Sequence, residues 1–231
     1  MDIYGFFNSS TSWRVRIALA LKGLAPTFRR VNIRVGEHRD AAYVTNVNPS
    51  ATVPAIVEGD FHLGQSLAII DWLEGNFPEP RLIPEELELR ARVLEFSYLI
   101  ACDIHPVNNL RILKYLQDVL KTSPEQKDEW YAHWVAEGMT GVERMLVQAA
   151  EIYGGPWCFG AQPTLADCCL IPQFANAKRM GCDMAPYVRA AAVAAYAAAH
   201  PAFVKAEPKN QPDYVAPAQP VASFHENKVQ A

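Results

Sequence analysis

Short alternating segments fill the first third of the chain, and segments with helical periodicity fill the rest. Residues 3–7 read as a strand, 12–22 as an Ala/Leu-rich helix and 27–33 as a second strand. A polar stretch over 37–47 predicts another helix. Residues 53–57 and 61–63 predict two strands paired closely through Gly59 and Asp60. The stretch 65–76 predicts a helix whose apolar side carries Leu67, Ile69, Ile70 and Leu73. That order, βαβαββα, predicts an α/β thioredoxin-like N-terminal domain. Pro78, Pro80 and Pro84 predict a linker. An all-α C-terminal helical domain follows. It comprises 85–120 as one long helix or a bent pair, 124–150 with Trp130, Trp134, Met139, Val142, Met145 and Leu146 as its apolar side, then 164–180 and 184–199. The expected division is 1–80 and 86–214, with a polar tail over 215–231. The Pro-rich stretch from Pro208 onward is expected on the surface or without fixed structure.

Composition narrows the class of protein. The chain has 231 residues, 50% hydrophobic and 20% charged, which suits a folded domain pair with a real core. Its net charge of −4 mixes both signs, and no basic stripe suggests a nucleic-acid partner. No apolar run approaches the roughly 18 residues of a membrane span, and the Ala-rich run at 190–199 reads as a packed helix. The chain opens on a strand-like segment without the basic and apolar regions of a secretion signal. Five cysteines, an odd number without zinc spacing, predict reduced thiols in a cytoplasmic protein, with adjacent Cys168 and Cys169 buried in an apolar run. Cys102, Asp103 and His105 lack the spacing of a metal cluster, so no metal is expected.

The candidate chemistry gathers in a few places. Ser9, Ser10, Thr11 and Ser12 crowd a strand-to-helix turn and lead into Trp13 and Arg14. Thr11 or Ser12 could cap the helix. Alternatively, the hydroxyls and the positive helix end could favour an anion or lower a thiol's pKa. A redox thioredoxin-type module would carry Cys-x-x-Cys here; this chain has no cysteine there, which suggests a site for another molecule's thiol. Val53-Pro54 is either an ordinary trans proline at a strand start or a cis bond that leaves the Val53 N–H and C=O free for an extended peptide. Gln65 and Ser66 open a helix, with Ser66 either capping it or binding a carboxylate. Thr164 and Asp167 have capping-box spacing and read as structural. His105, Asn108, Asn109 and Arg111, among Leu110, Ile112, Leu113 and Leu116, form either a solvated helix face or the wall of a wet cleft. The first three places together suit a short peptide with a thiol at one end and an α-carboxylate at the other.

In Ser9, Ser10, 12–23, Asn48-Pro49, Val53-Pro54, 65–70 and 164–167, the chain resembles the zeta-class glutathione transferases. That class includes maleylacetoacetate isomerases and bacterial maleylpyruvate isomerases. The resemblance covers roughly residues 1–214, and 102–109 looks especially like the maleylpyruvate isomerases. It implies glutathione as cofactor, with Ser9, Ser10 and Thr11 around the sulfur and Ser10 or Thr11 stabilising the thiolate. It also implies that Val53 pairs with the cysteinyl backbone, that Gln65 and Ser66 hold the γ-glutamyl end, and that His38 approaches the glycine end. His105, Asn109, Leu110 and Arg111 would close the site, and Arg179 would hold a substrate carboxylate. Most zeta members have Cys where this chain has Thr11, but the maleylpyruvate isomerases share the Thr. Asn8 stands where the isomerases usually have Arg, so a diacid would depend on Arg14, Arg111 or Arg179. The implied activity is glutathione-dependent cis–trans isomerisation of a maleyl-type diacid by a homodimer. The alternatives are conjugation or dehalogenation of another small electrophile, and a non-catalytic binding protein of the same fold.

Overall fold

The structure is a computed structural model that describes residues 1–216; the rest of the expected tail, 217–231, lies outside the described residues. Its first part runs β1 (Asp2–Gly5), α1 (Ser10–Leu21), β2 (Thr27–Arg30), a 3₁₀ turn (Glu37–Arg39), α2 (Ala41–Asn46), β3 (Ala55–Glu58), β4 (Phe61–Gly64) and α3 (Ser66–Asn76). The sheet order is β2-β1-β3-β4. β1 runs parallel to β2 and antiparallel to β3, and β3 and β4 form an antiparallel hairpin with Ala55 opposite Gly64. Helices then take over: α4 (Leu87–Tyr98), α5 (Leu110–Asp118), α6 (Pro124–Tyr153), α7 (Leu165–Arg179), α8 (Val188–Ala197) and α9 (Pro201–Ala206). This is the thioredoxin-like sheet module followed by helices that the pattern predicts. No helix of the described residues is long and apolar enough to cross a membrane.

The departures are local and have local causes. β3 begins at Ala55 and not at Val53, since Pro54 has no N–H for the ladder; the Val53-Pro54 bond is cis. The 85–120 stretch breaks more than once. After α4 the helix widens into a π turn over Leu99–Ile104, tightens to a 3₁₀ turn over Pro106–Asn108, and restarts as α5. Pro106 cannot supply a helix donor, and Asn109 caps α5 by accepting from the Ile112 N–H at 3.2 Å. The π turn lies hard against α6 at Gly138, where a Cβ would fall 2.2 Å from Ile104 Cγ1. Gly138 therefore sets the path by which the chain reaches His105.

One buried cluster joins the two parts. Ile17, Ile56, Ile69, Ile70 and Leu73 pack in the same core as Phe96, Met139, Leu146 and Leu165, Ala166, Cys168, Cys169, Leu170 and Ile171 of α7. A buried ion pair braces the first part where it hands over to the linker: Lys22 Nζ lies 2.6 Å from Glu74. Lys22 also donates to the carbonyls of Phe77 and Pro80, and Glu74 accepts from the N–H groups of Leu82 and Ile83. Both charges are thus fully bonded, the condition under which a buried pair is tolerated. Thr164 and Asp167 form the expected capping box. Asp167 accepts from the Thr164 N–H at 2.8 Å and from the Cys158 N–H at 2.9 Å. The described part of the stretch from Pro208, residues 208–216, lies at the surface and is tied down there: the Phe7 N–H bonds Asp213 and Tyr214 packs on the Phe7 ring, contacts over some 206 positions that no local pattern announces.

Candidate functional site

β1 delivers the chain to the N-terminus of α1. Ser9, with extended backbone, is the cap, and its Oγ accepts from the Ser12 N–H at 3.2 Å. This corrects the expectation that Thr11 or Ser12 caps the helix. Ser9 Oγ lies 2.9 Å from Thr11 Oγ1, and the Thr11 hydroxyl donates to the Val53 carbonyl at 3.0 Å. A chain of hydroxyls therefore ties the head of α1 to the cis-proline loop. It also corrects the expectation of a free Val53 carbonyl; the Val53 N–H has no acceptor among the described residues. The Ser10 hydroxyl is also uncommitted. The first turn of α1 carries no acidic residue, so the positive end of the helix is not neutralised by its own sequence.

A second helix end lies beside it. Gln65 occupies the cap position of α3 with φ 67 and ψ 116, a left-handed conformation unusual for a side-chain-bearing residue, and its side chain makes no cap bond. Ser66 is therefore the first helical residue and not the cap. Ser66 Oγ accepts from Arg14 Nη1 at 3.5 Å. Arg14 is 1% exposed, yet its Nε and Nη2 have no partner among the described residues. Burial pushes its guanidinium below the usual arginine range, opposed by the nearby thiols of Cys169, Cys102 and Cys168. A buried guanidinium with open donors beside a helix N-terminus is a place that an anion would complete.

The helical part faces these groups through His105. Burial, then the positive charges of Arg14 and Arg111, push the His105 imidazole down to about 3, so it stays neutral near neutral pH. Arg111 and Leu110 are exposed at the start of α5, while Asn109 serves as that helix's cap. His38 is half-buried with its Nδ1 unpartnered; burial, then Arg39 and Lys114, push it below the usual histidine range. Arg179, exposed at the end of α7, donates to Asn176 Oδ1, and the Asn176 amide donates to the Tyr131 hydroxyl at 2.7 Å. Tyr131 in turn has its carbonyl bonded by Asn108 at 3.3 Å. Asn8 is half-buried and makes no hydrogen bond among the described residues. The structure thus joins Ser9, Thr11 and Val53 by hydrogen bonds, Arg14 to Ser66, and His105 electrostatically to Arg14 and Arg111. It shows no such link for Asn8, Gln65 or Arg179 to that group. Sequence reasoning missed Tyr131 and Asp213; nothing in a lone Tyr or Asp marks a long-range hydrogen bond. No group of three or more His, Cys, Asp or Glu among the described residues could hold a metal ion.

A thioredoxin-like sheet with an open, hydroxyl-rich helix end and a helical partner is the architecture of a glutathione transferase. Residues 3–81 match the family model for the glutathione S-transferase N-terminal domain. A probable maleylacetoacetate isomerase of Vibrio cholerae is 43% identical over 212 residues, 91% of this chain and 97% of that protein. A solved structure of a maleyl pyruvate isomerase, described as a bacterial zeta-class glutathione S-transferase in its holo form, superposes with TM-score 0.89 at 39% identity. It covers 93% of this chain and all of its own. A maleylacetoacetate isomerase from Anaeromyxobacter dehalogenans, solved with dicarboxyethyl glutathione and citrate in its active site, gives TM-score 0.81 at 35% identity and 94% coverage of both chains. The chain belongs to the zeta-class glutathione transferase family of maleylacetoacetate and maleylpyruvate isomerases.

Proposed function

We propose that this protein is a glutathione-dependent cis–trans isomerase of a maleyl-type diacid, maleylpyruvate or maleylacetoacetate, in the breakdown of aromatic compounds. The observation that carries the reading is the relative whose active site holds dicarboxyethyl glutathione, since that group is what addition of a thiol to an unsaturated diacid leaves. The residues present here suit glutathione: an α1 N-terminus without acid, an unpaired Val53 N–H, and the open donors of buried Arg14 beside Ser66. Bound glutathione supplies a thiolate that adds reversibly to the double bond conjugated with a ketone, so that the bond rotates as a single bond before the thiolate leaves again.

The chain's own groups do the rest. The N–H groups at the head of α1 and the hydroxyls of Ser10 and Thr11, with Ser9 alongside, favour the charged sulfur. Val53 pairs with the cysteinyl backbone, Gln65 and Ser66 hold the γ-glutamyl carboxylate, and Arg14 supports Ser66 from its buried position. His38 lies toward the glycine end. His105, Asn109 and Leu110 close the site from the helical side. Arg111 and Arg179 hold the substrate carboxylates and favour negative charge developing on the ketone oxygen. In this reading residues 1–80 form the glutathione-holding domain and 86–214 the substrate-binding domain, and the protein is a homodimer of the cytoplasm. Five free cysteines favour a reducing compartment.

Uncharged Asn8 favours the second reading, conjugation or dehalogenation of another small electrophile, in which glutathione is consumed. One assay separates the two. Purified protein is mixed with maleylpyruvate or maleylacetone, with and without glutathione, while cis-to-trans absorbance and free thiol are followed together. Glutathione-dependent isomerisation with constant thiol is the expected result. Glutathione binding without isomerisation would move the assignment to conjugation or dehalogenation.

A further inference from the structure

The end of the described chain closes on the turn that presents the hydroxyls. After β1 the backbone of Phe6, Phe7 and Asn8 leaves the sheet, and its polar groups need partners. The Phe6 carbonyl accepts from the Ser9 N–H at 3.0 Å and from Arg16 Nη1 at 3.3 Å, and the Phe7 carbonyl accepts from Arg16 Nη2 at 3.0 Å. The Phe7 N–H donates to Asp213 Oδ2 at 2.9 Å. Arg16 Nε donates to the Ala206 carbonyl at 3.0 Å, so one buried guanidinium bonds both the turn and the segment that carries Asp213. Tyr214 stands edge-on to Phe7 with ring centroids 5.5 Å apart, while the Arg34 guanidinium lies 5.4 Å from the rings of both Phe6 and Phe7. Burial opposes the Arg16 charge and the Asp213 carboxylate favours it. Asp213 Oδ1 is itself buried and has no partner among the described residues, where the carboxylate is held by the Phe7 N–H and lies in the field of Arg16.

We propose that Asp213 is a positioning residue for the thiol-binding turn: from the far end of the chain it holds the Phe7 N–H and, with Arg16, fixes the direction in which Asn8 and Ser9 enter α1. The inference rests on the reading of that turn as the glutathione site. Asp213 touches neither glutathione nor substrate in this account. It acts through backbone that is two residues ahead of Ser9, where a small shift would misplace the hydroxyls and the helix end together.

The test compares the full-length protein with Asp213→Ala and Asp213→Asn. Glutathione affinity is measured by calorimetry, the bound thiol's pKa by ultraviolet thiolate absorbance, amide exchange at Phe7 by mass spectrometry or NMR, and folding by thermal unfolding. Loss of a hydrogen bond to a charged acceptor predicts roughly tenfold weaker glutathione binding and at least tenfold faster Phe7 exchange in Asp213→Ala. It also predicts a raised thiol pKa. Asp213→Asn keeps an acceptor but loses the charge, so it should fall between Asp213→Ala and wild type, because charge-assisted bonds are about twice as strong. If Asp213→Ala does not fold, Asp213→Asn decides alone. Wild-type affinity and thiol pKa in a folded variant with faster Phe7 exchange, or with lower thermal stability only, would overturn the proposal and leave Asp213 a structural contact. Failure of the wild-type protein to bind glutathione would instead overturn the functional reading, and the exchange comparison at Phe7 would still report whether Asp213 holds the turn.

Discussion

The N-termini of α1 and α7 start from similar chemistry and end in opposite states. Each opens on a hydroxyl-bearing cap, Ser9 or Thr164, and each is buried. At α7 the third helical residue is Asp167. It completes a reciprocal cap, accepts from the N–H groups of Thr164 and Cys158, and places a carboxylate at the positive end of the helix. At α1 the corresponding residue is Ser12, no acid lies in the first turn, the Ser10 hydroxyl is uncommitted among the described residues, and Arg14 and Arg16 are buried further along the helix. A helix end that supplies its own anion is a structural joint. One that withholds it is ready for an anion from outside.

Removing the anion from α7 has the largest expected effect. Asp167→Ala would leave three buried donors without their acceptor and cost about 3–5 kcal/mol of stability, read from urea unfolding. The bound-thiol pKa in the folded fraction should not change; a change there would mean that the two ends are coupled. The converse experiment places an acid at α1. Thr11→Asp should weaken glutathione binding about a hundredfold through like-charge repulsion of the thiolate. Thr11→Val, which also breaks the bond to Val53 but adds no charge, is the control, and equal losses in the two variants would refute the electrostatic contrast. Ser10→Ala is a smaller change. Loss of an uncommitted donor should raise the bound thiol's pKa by about one unit. An unchanged value in both Ser10→Ala and Thr11→Val would exclude hydroxyl activation by these two residues.

The smallest effect concerns pH on the facing wall. His105 is pushed down to about 3 in the folded chain, well under the ordinary histidine value near 6.5. Between those values the unfolded chain binds the extra proton, so acidification through this window removes stability. His105→Gln should therefore lose less stability than wild type between about pH 7 and pH 5. The expected difference is about 1–2 kcal/mol, because across that window the unfolded imidazole takes up a proton and the largely buried folded one does not. Denaturant midpoints at the two pH values check it, and parallel losses would show that His105 is not the group responsible.

The order of elements, the linker prolines, the apolar faces and the Thr164–Asp167 cap were all legible in the sequence, because each depends on neighbours within a turn or two and on periodicities of two or 3.6 residues. The hydroxyl cluster and the lack of Cys-x-x-Cys also singled out the helix whose first turn carries no acid. Which hydroxyl caps α1 was not legible. Ser9 takes that role because β1 ends at Gly5 and the turn leaves Ser9 extended, a matter of backbone path and not of residue type. The same holds for the break at Pro106, where the pattern allowed one helix or two and close packing of Ile104 on Gly138 fixed the widened turn. The decisive contacts of the site were beyond the reach of any local pattern: Thr11 with Val53 across 42 positions, Arg14 with Ser66 across 52, and Asp213 with Phe7 across 206. Short-range physics set what each segment is. Only the packed chain, by choosing which polar groups lose water together, decided what each segment holds in place.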